Sequence, residues 1–296
     1  MEFEVGSLEL GGDGKVFGIT AVALAVIVGT WNGNWFPSGR AEHRANAVVE
    51  AATIQAAGEM LRAGVAKFDP ALKEDVVICL NEMRNLEVTE ELAKATGIPD
   101  LRVAVVSGYR RRDRFDMQQD AILTTLPVAS ANWSFWKSKK GVTPPRGYAH
   151  ATLVFPQAVT TSVYCVHLKS NYGATTDEIR DSNREKRRLP IEQLVEQEKV
   201  RRGRKSTPIV VAGDFNADPW REEFAKETIF DSLEKAGFTN VLKLAPEKRR
   251  WTLPNRRYGN SALDHVYVRG LKIDGQPLTQ YPDELSDHFA LFVRVK

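Results

Sequence analysis

Several polar side chains in this sequence share one kind of position, at the end or the start of an apolar segment with the pattern of a β-strand. They are Asn32, Glu82, His167, Asp214, Asn216, Asp264, Asp287 and His288. Strand ends and the adjoining loops are where a rigid sheet can bring side chains together at one point. Carboxylates and amides suit Mg²⁺, which prefers oxygen ligands, while histidine and asparagine can bind a phosphate as negative charge develops. Together they would form a metal-assisted site for phosphoryl transfer.

Taken singly, these positions also have ordinary structural interpretations. Glu82 alone would be an exposed carboxylate at a strand end, and the sequence GDFNADP at 213–219 could form a turn. His167 alone would more often be a partly buried histidine without a catalytic role, and the Ser-Asp-His sequence at 286–288 could cap a strand. The functional interpretation therefore depends on the joint occurrence of these residues in one order.

The segments that must position these residues alternate between helical and strand patterns. Helices are predicted over 40–67, 87–96 and about 177–202. Strands are predicted at 75–80, 103–107, 120–125, 149–155, 161–167, 208–213, 263–268 and 288–295. The chain shows no internal repeat, low-complexity tract or Pro/Gly/Ser linker. Mixed elements without a break favour one α/β domain built on packed sheets.

Composition excludes several classes of protein. The 296 residues are 43% hydrophobic and 27% charged, which is typical of a folded rather than a disordered chain. Cys79 and Cys165 are too few for a disulfide scaffold or a cysteine-rich zinc site. The formal net charge of +3 is too small to identify a nucleic-acid-binding protein.

The apolar run from Gly18 to Thr30 is the longest in the chain. At about 13 residues it is shorter than the roughly 20 that a transmembrane helix needs. It could be the hydrophobic part of a secretory signal, because Lys15 precedes it, or a buried strand or pair of strands. With no clear signal peptide, the compartment stays open between secreted or periplasmic and cytoplasmic.

Six short motifs, in this order, resemble those of the endonuclease/exonuclease/phosphatase superfamily. They are TWN at 30–32, NE at 81–82, VHLKSN at 166–171, GDFNADP at 213–219, LDHVYV at 263–268 and SDHFAL at 286–291. The resemblance covers residues 16–296 as a single domain and leaves 1–15 as an N-terminal extension or edge segment. It implies an α/β fold, a four-layer αββα sandwich in which two packed mixed sheets are flanked by helices. GDFN with a terminal SDH is specific for the superfamily but much less so for the substrate.

The resemblance implies a divalent metal site. Glu82 resembles the principal Mg²⁺ ligand, and Asn32 and Asp287 would complete or support the coordination of the ion. Mn²⁺ or Ca²⁺ could substitute for Mg²⁺. Asp214 resembles a residue that either binds a second ion or orients or deprotonates the attacking water.

The resemblance also implies catalytic roles for four further residues. Asn216 would donate a hydrogen bond to a phosphoryl oxygen. Asp264 and His288 resemble the family's Asp–His pair, in which the carboxylate fixes the orientation of the imidazole and raises its basicity. His167 would be a second histidine facing the phosphate.

Two positions depart from the family pattern. The glutamine that usually precedes the metal-binding glutamate is Asn81 here, a shorter amide that could still support Glu82. The family's tyrosine or glutamate before the His motif has no certain counterpart, and Gln118 or Gln119 could fill the role, with Tyr109 a weaker candidate. Arg146 matches an arginine that points toward substrate in the family.

Basic residues indicate where a phosphate backbone would bind. Lys169 and Asn171 lie in the His motif, and Arg110, Arg111 and Arg112 follow a predicted strand. The basic segment 248–251 is a second candidate. Such contacts release counterions, so affinity would fall as salt rises.

The aromatic stretch at Trp133, Phe135 and Trp136 admits three interpretations. The side chains could pack in the sandwich, stack on nucleic-acid bases, or insert into a membrane as part of a hairpin. Membrane insertion is the least favoured because the stretch is short and flanked by lysines.

The function expected from these observations is a Mg²⁺-dependent phosphodiesterase, a nuclease that hydrolyses DNA, with RNA as a further candidate substrate. The family resemblance implies products with 5′-phosphate ends. The protein is expected to bind nucleic acid as a monomer without stable membrane insertion. The alternatives are a phosphomonoesterase or sphingomyelinase-like phospholipid phosphodiesterase with the same active site, and a catalytically silent nucleic-acid-binding module.

Overall fold

The computed structural model describes residues 25–39, 46–111, 114–115, 118–202, 207–255 and 259–296. Within these ranges the α-helices are α1 (Ala47–Ala66), α2 (Leu86–Ala95), α3 (Asp177–Arg202) and α4 (Ile229–Lys235). The strands are β1 (Val26–Phe36), β2 (Asp75–Met83), β3 (Arg102–Val106), β4 (Arg110–Arg111), β5 (Arg114–Phe115), β6 (Gln119–Thr124), β7 (Val128–Phe135), β8 (Gly147–Phe155), β9 (Val159–His167), β10 (Ile209–Asp214), β11 (Thr239–Asn240), β12 (Asp264–Arg269), β13 (Leu278–Gln280) and β14 (Ala290–Val295).

Two six-stranded mixed sheets form the centre of the fold. The first has the strand order β13-β14-β1-β2-β6-β3, and the second has the order β11-β12-β10-β9-β8-β7. In the first sheet β1 lies parallel to β2 and antiparallel to β14. In the second sheet β10 lies parallel to β9 and antiparallel to β12. Strands β4 and β5 pair separately in a small hairpin.

The central strands are apolar on both faces because both faces are covered. In β2, Val77 and Cys79 pack between the sheets, whereas Val76, Ile78 and Leu80 pack with the helices α1 and α2. On the second sheet, the outward-facing side chains of β9, β10 and β12 pack with α3 and α4 in the same way. This double burial explains why the strands read as continuous hydrophobic runs. The predicted four-layer αββα sandwich is confirmed.

The predicted elements agree with the observed ones apart from small shifts at their ends. Asn46 caps α1, with its side chain accepting a hydrogen bond from the backbone N–H of Val49, and residues 40–45 of the predicted helix lie outside the described ranges. Val26–Thr30, the end of the long apolar run, belongs to the buried strand β1, and residues 18–24 lie outside the described ranges. Among the described helices, none is both long and apolar enough to cross a membrane.

Candidate active site at the ends of the central strands

On each of four central strands, every second side chain faces the other sheet. At one end of this row, each strand carries a polar residue. Side chains along a strand alternate between its faces, so residues two apart share a face. Val210 and Ala212 of β10 pack between the sheets, and Asp214 is the next residue of that row. The same counting leads to Asn32 on β1, His167 on β9 and Asp264 on β12. Strand register brings three of them side by side, because Asp214 pairs with His167 on one neighbour and Asp264 on the other.

Glu82 also lies at this point, although the alternation of side chains along β2 would place it on the opposite face of the sheet. Counting from Val77 and Cys79, the inter-sheet row of β2 continues to Asn81, so Glu82 should face the helices. The register of β2 shifts between Leu80 and Met83, and Glu82 has a φ of 62°. A bulge of this kind redirects a side chain. The carboxylate of Glu82 therefore accepts a hydrogen bond from the backbone N–H of Trp35 at 3.1 Å and lines the cleft.

The Gly-Asp-Phe-Asn sequence has a steric reason for its glycine. Gly213 has a φ of 137°, and a Cβ added there would lie 2.0 Å from the carbonyl oxygen of Val166 on β9. Only glycine permits this close approach of the two backbones. Asn216 adopts a φ of 52°, which asparagine tolerates better than most residues. The turn after β10 thereby directs the amide of Asn216 back to Asp214.

Asp214 is held by three N–H donors. Its Oδ1 accepts from the backbone N–H of Asn216 at 2.7 Å. Its Oδ2 accepts from the side-chain amides of Asn216 at 2.8 Å and Asn32 at 2.9 Å. Burial, together with the negative charge of Asp264, still raises the pKa of Asp214 to about 7. The carboxyl group is thus fixed in position and carries a proton more readily than an exposed aspartate.

Asp264 and His288 form a buried pair. Their Oδ2 and Nδ1 atoms are 2.7 Å apart. Burial by itself would lower the pKa of His288, but the charge and hydrogen bond of Asp264 outweigh it and raise that pKa to about 10. Ser286 fixes the loop, since its hydroxyl donates to the carbonyl of Asn32 and accepts from the backbone N–H of His288. The second imidazole nitrogen, Nε2, is left near the cleft as a proton donor.

His167 differs from His288 in charge. Burial, followed by the nearby Arg146, lowers the pKa of His167 well below its usual value, so this imidazole is neutral. Its Nε2 lies 3.5 Å from Asp214 Oδ2 and 3.7 Å from Glu82 Oε1, which are longer than ordinary hydrogen bonds. Because the ring is neutral, these contacts are not ion pairs.

The donor set fits a hard divalent cation. Glu82, Asp214 and Asp287 all line one cleft, and Asp264 lies directly behind it. The buried Oδ1 of Asp264 has no hydrogen-bond partner among the described residues. So many carboxylates in one place repel each other unless positive charge is added, and oxygen ligands suit Mg²⁺.

The hydrogen bonds of the site limit which side-chain atoms could bind such an ion. Asp214, Asp264 and His288 each place a possible ligand atom within 4.8 Å of the others, but the Nδ1 of His288 is already bonded to Asp264. Asn32 directs its amide nitrogen, not its oxygen, at Glu82 and Asp214, while its Oδ1 accepts from the backbone N–H of Asn34. Asn32 therefore supports the carboxylates rather than offering an oxygen to the ion.

The cleft above these residues has a volume of about 480 Å³. Of the predicted substrate-binding residues, Gln118, Arg146 and Lys169 line it. Arg146 donates to Gln118 Oε1 at 2.7 Å, so these two side chains form one wall. Asp287 lies at the exposed rim, with its Oδ1 4.0 Å from His288 Nε2.

The other predicted substrate-binding residues lie away from the cleft or outside the described ranges. Gln119 is buried, and its amide oxygen accepts hydrogen bonds from Ser107 and from the backbone of Tyr109. Asn171 accepts from the buried Arg187 at 3.1 Å and does not line the cleft. Arg110 is exposed on β4. Arg112 and the side chain of Arg111 lie outside the part of the chain that the structure describes.

The prediction missed Asp120, a buried carboxylate beneath the cleft. Its Oδ1 accepts from Asn81 Nδ2 at 2.7 Å and its Oδ2 accepts from the hydroxyl of Tyr109 at 3.0 Å. Asn81 in turn accepts from the backbone N–H of Asp214 at 2.9 Å. Burial raises the pKa of Asp120 to about 7, although these hydrogen bonds act to lower it. A sequence signal exists, because an aspartate inside the apolar strand pattern DAILTT needs a buried partner.

Residues that are buried and joined in this way form what we call the polar floor of the cleft. Its members are Asn32, Asn81, Glu82, Asp120, His167, Asp214, Asp264 and His288. Thr252 supports one side of it, since its hydroxyl accepts hydrogen bonds from the backbone N–H groups of Leu263 and Asp264. Neither Thr252 nor Ser286 was singled out from the sequence.

Comparisons with known proteins agree with the observed fold. The family described as Endonuclease/Exonuclease/phosphatase family matches residues 29–288. None of the curated proteins compared with the chain matches it.

Solved structures with the same fold have low sequence identity to the chain. An endonuclease/exonuclease/phosphatase family protein from Leptotrichia buccalis aligns over 93% of this chain and 100% of its own, with 13% identity and a TM-score of 0.61. A humanized D. rerio TDP2 carrying 14 mutations aligns over 92% of this chain and 99% of its own, with 14% identity and a TM-score of 0.61. A functionally unknown protein from Enterococcus faecalis covers 91% and 99%, with 18% identity and a TM-score of 0.61.

Proposed function

We propose that this chain, which belongs to the endonuclease/exonuclease/phosphatase family, is a metal-dependent phosphodiesterase that hydrolyses phosphodiester bonds in nucleic acids. The observation that carries the proposal is the convergence of Asp214, Asp264 and His167 on three neighbouring strands, with Glu82 turned to the same point by a bulge. Residues 16–296 would act as one catalytic domain and as a monomer.

Glu82 and Asp287 would hold the divalent cation, with Asn32 orienting the carboxylate of Glu82. When bound, Mg²⁺ supplies positive charge that offsets the charge of the phosphoryl oxygens and of the leaving group. The preformed hydrogen bond from the Trp35 backbone keeps Glu82 aimed at the cleft before any ion arrives.

Asp214 is the residue proposed to orient the attacking water and accept its proton. Three donors fix its carboxylate, so little reorganisation is needed as the water oxygen forms its bond to phosphorus. The bond between phosphorus and the 3′ oxygen breaks, and the product carries a 5′-phosphate. His288, kept protonated by Asp264, would donate a proton or hydrogen bond to the charge that develops. Neutral His167 would donate a hydrogen bond to a phosphoryl oxygen. Asn216 would do so by exchanging the hydrogen bond that its amide donates to the carbonyl of Leu168.

Nucleic acid is favoured over lipid as substrate by the walls of the cleft. Arg146 and Lys169 add positive charge where a phosphate backbone would pass. Lys248 and Arg249, a few residues before the cleft-lining Leu253, are exposed. In the connection between β7 and β8, Trp136 is buried against Tyr148 and Lys137 is exposed, so this connection is basic rather than apolar.

The test is hydrolysis of a supercoiled plasmid and of end-labelled DNA and RNA oligonucleotides with Mg²⁺. We expect cleavage with Mg²⁺, none in EDTA, and recovery when excess Mg²⁺ is added. The fragments should be substrates for a ligase, which needs 5′-phosphate ends. Cleavage that is insensitive to EDTA, or faster turnover of p-nitrophenyl phosphate or sphingomyelin vesicles than of any oligonucleotide, would contradict the proposal.

An Asp264→Asn protein purified in parallel serves as the control for contaminating nuclease. Its circular dichroism spectrum should match that of the original chain while its cleavage is lost. A variant as active as the original chain would show that the activity comes from elsewhere.

A further inference from the structure

Two large aromatic side chains are exposed on the edge strand β7. Trp133 is 38% exposed and Phe135 is 50% exposed. Alternation along the strand places them on one face, whereas Trp136 lies on the other side, buried with its ring centroid 4.4 Å from that of Tyr148. Trp136 packs on the helix-covered face of its sheet. Trp133 pairs with Ala149 of the layer between the sheets, so Trp133 and Phe135 lie at the open edge of that layer and stay partly exposed.

Trp133 and Phe135 belong to an ordered cluster with the buried Tyr109, which we call the aromatic edge. The ring centroid of Tyr109 lies 5.8 Å from that of Trp133 and 5.3 Å from that of Phe135. The two exposed rings are 5.7 Å apart and nearly perpendicular, at 84°. A side chain at Gly108 would lie 2.8 Å from the indole of Trp133, so the ring packs against bare backbone. Both exposed rings are thus held in position before any ligand binds.

The aromatic edge adjoins the wall of the cleft. Phe135 pairs with Gly147 across β7 and β8, and the preceding residue, Arg146, lines the cleft. From the other side, Gln119 bonds both backbone groups of Tyr109, and its neighbour Gln118 lines the cleft and accepts from Arg146. A chain leaving the cleft along the Gln118–Arg146 wall would reach the exposed rings next.

Among the described residues, cationic and polar groups lie near the rings. Arg110 follows Tyr109 directly and is exposed, and Arg146, which lines the cleft, precedes the Gly147 that pairs with Phe135. Asn132 and Ser134, the neighbours of Trp133 on β7, are exposed as well. A small ring cluster with positive and polar neighbours suits a ligand with flat bases and a phosphate backbone better than a lipid surface.

We propose that Trp133 and Phe135 are a stacking site for unpaired bases next to the scissile phosphate, and that the preferred substrate is therefore single-stranded or frayed nucleic acid. The proposal rests on the proposed function. Bases of an intact duplex already stack on each other, and only an unpaired base can offer its face to a protein ring. Arg110 and Arg146 would contact the phosphates on either side of the stacked base.

The test compares Trp133→Ala, Phe135→Ala and the double variant with the original chain on three substrates. These are a single-stranded oligonucleotide, a hairpin duplex of the same sequence, and bis(p-nitrophenyl) phosphate, which has no base. We expect kcat/KM for the single strand to fall about 10-fold or more in the double variant, mostly through KM. Turnover of the other two substrates should change less than about 2-fold, and Phe135→Tyr should retain the activity of the original chain.

Removing single bases from the substrate gives an independent measure of the contact between a base and the two exposed rings. Single strands that lack one base, scanned along positions next to the cleavage site, should lose cleavage by the original chain at one or two positions. The double variant should show no further loss at those positions, because the contact is already absent. Equal losses on all three substrates, or no loss on the single strand, would overturn the proposal.

Binding in EDTA separates this proposal from the proposed function. Fluorescence anisotropy of a labelled single strand should show weaker binding to the double variant than to the original chain, even if neither protein cleaves. Failure of cleavage with this difference intact would contradict only the nuclease assignment. Sedimentation with phosphatidylserine vesicles that is abolished by Phe135→Ala, with unchanged anisotropy, would instead identify the aromatic edge as a membrane contact and overturn the proposal.

Discussion

The polar floor and the aromatic edge are neighbouring regions with opposite construction. Floor residues are buried, all except His288 lie on strands, and several hydrogen-bond each other, as when Asp214 accepts from Asn32. The edge exposes Trp133 and Phe135 on an outer strand, where their rings contact the ring of Tyr109. Groups that perform chemistry must hold their geometry, whereas groups that bind substrate must be reachable. The difference is consistent with the proposed roles, catalysis in the floor and substrate contact at the edge.

The largest effect should come from Asp264→Asn, which removes the charge that keeps His288 protonated but preserves the shape of the pair. We expect kcat to fall by about 10²–10⁴-fold, as for other losses of general acid–base function. The affinity for a single strand in EDTA should change less than about 3-fold. Asp274→Asn is the matched control, since Asp274 pairs with Lys296 at the opposite end of β14. A loss of binding as large as the loss in kcat would mean that catalysis and substrate binding are not separated between the floor and the edge.

Asn81→Ala should be the most destabilising single change in the floor. It removes the amide that joins Asp120 to the backbone N–H of Asp214 and leaves both groups buried without that partner. We expect the free energy of unfolding in urea to fall by about 2–4 kcal/mol. Asn132→Ala, on the exposed strand β7, should change it by less than about 0.5 kcal/mol. Similar values for the two variants would show that the floor is not a connected network.

Asp120 should make the stability depend on pH. Its pKa is about 7 in the folded chain against 3.8 as a free side chain, so the folded state binds the proton more tightly. The contribution of Asp120 to the free energy of unfolding is therefore largest below about pH 4. It declines as the pH rises toward 7 and is constant above that. Asp120→Asn, measured by urea unfolding from pH 4 to 8, should give a flatter profile than the original chain. If the two proteins gave parallel profiles of stability against pH, Asp120 would not have a raised pKa in the buried floor.

Phe135→Ser in the aromatic edge should destabilise the chain much less than Asn81→Ala in the floor. Half of this side chain is already exposed, so the free energy of unfolding should fall by less than about 1 kcal/mol. Ala151→Ser, in the apolar layer between the sheets, is the matched control and should cost more because it buries a hydroxyl. If Phe135→Ser destabilised the chain as much as Asn81→Ala, the exposed rings would be structural rather than available for substrate.

Much of the fold and several members of the site followed from sequence patterns. Apolar runs such as DVVICL and PIVVAG predicted buried strands, and the polar residues ending them predicted where a site would form. Counting by two from Val210 to Asp214 also needs no tertiary information, because the alternation of a strand is local. The four-layer arrangement came from the family resemblance, and the structure confirms it.

Other features depended on contacts between distant segments. Glu82 faces the cleft only because β2 bulges at its end, and the regular alternation would have turned it toward the helices. Gln118 and Gln119 are equivalent by sequence, yet one lines the cleft and the other is bonded to Ser107 and Tyr109. The exposure of Trp133 and the burial of Trp136 became distinguishable once β7 took its place at the edge of a sheet.

The sequence by itself determined which residue types end each strand and in which order, because hydrophobic periodicity and short-range turns are properties of neighbouring residues. Tertiary structure decided which of those residues meet and in what protonation state. His167 and His288 are the same side chain, but burial leaves the first neutral, while Asp264, 24 positions away in the chain, keeps the second charged. A pKa depends on charges and solvent within a few ångströms, and the packing of the two sheets alone sets those distances.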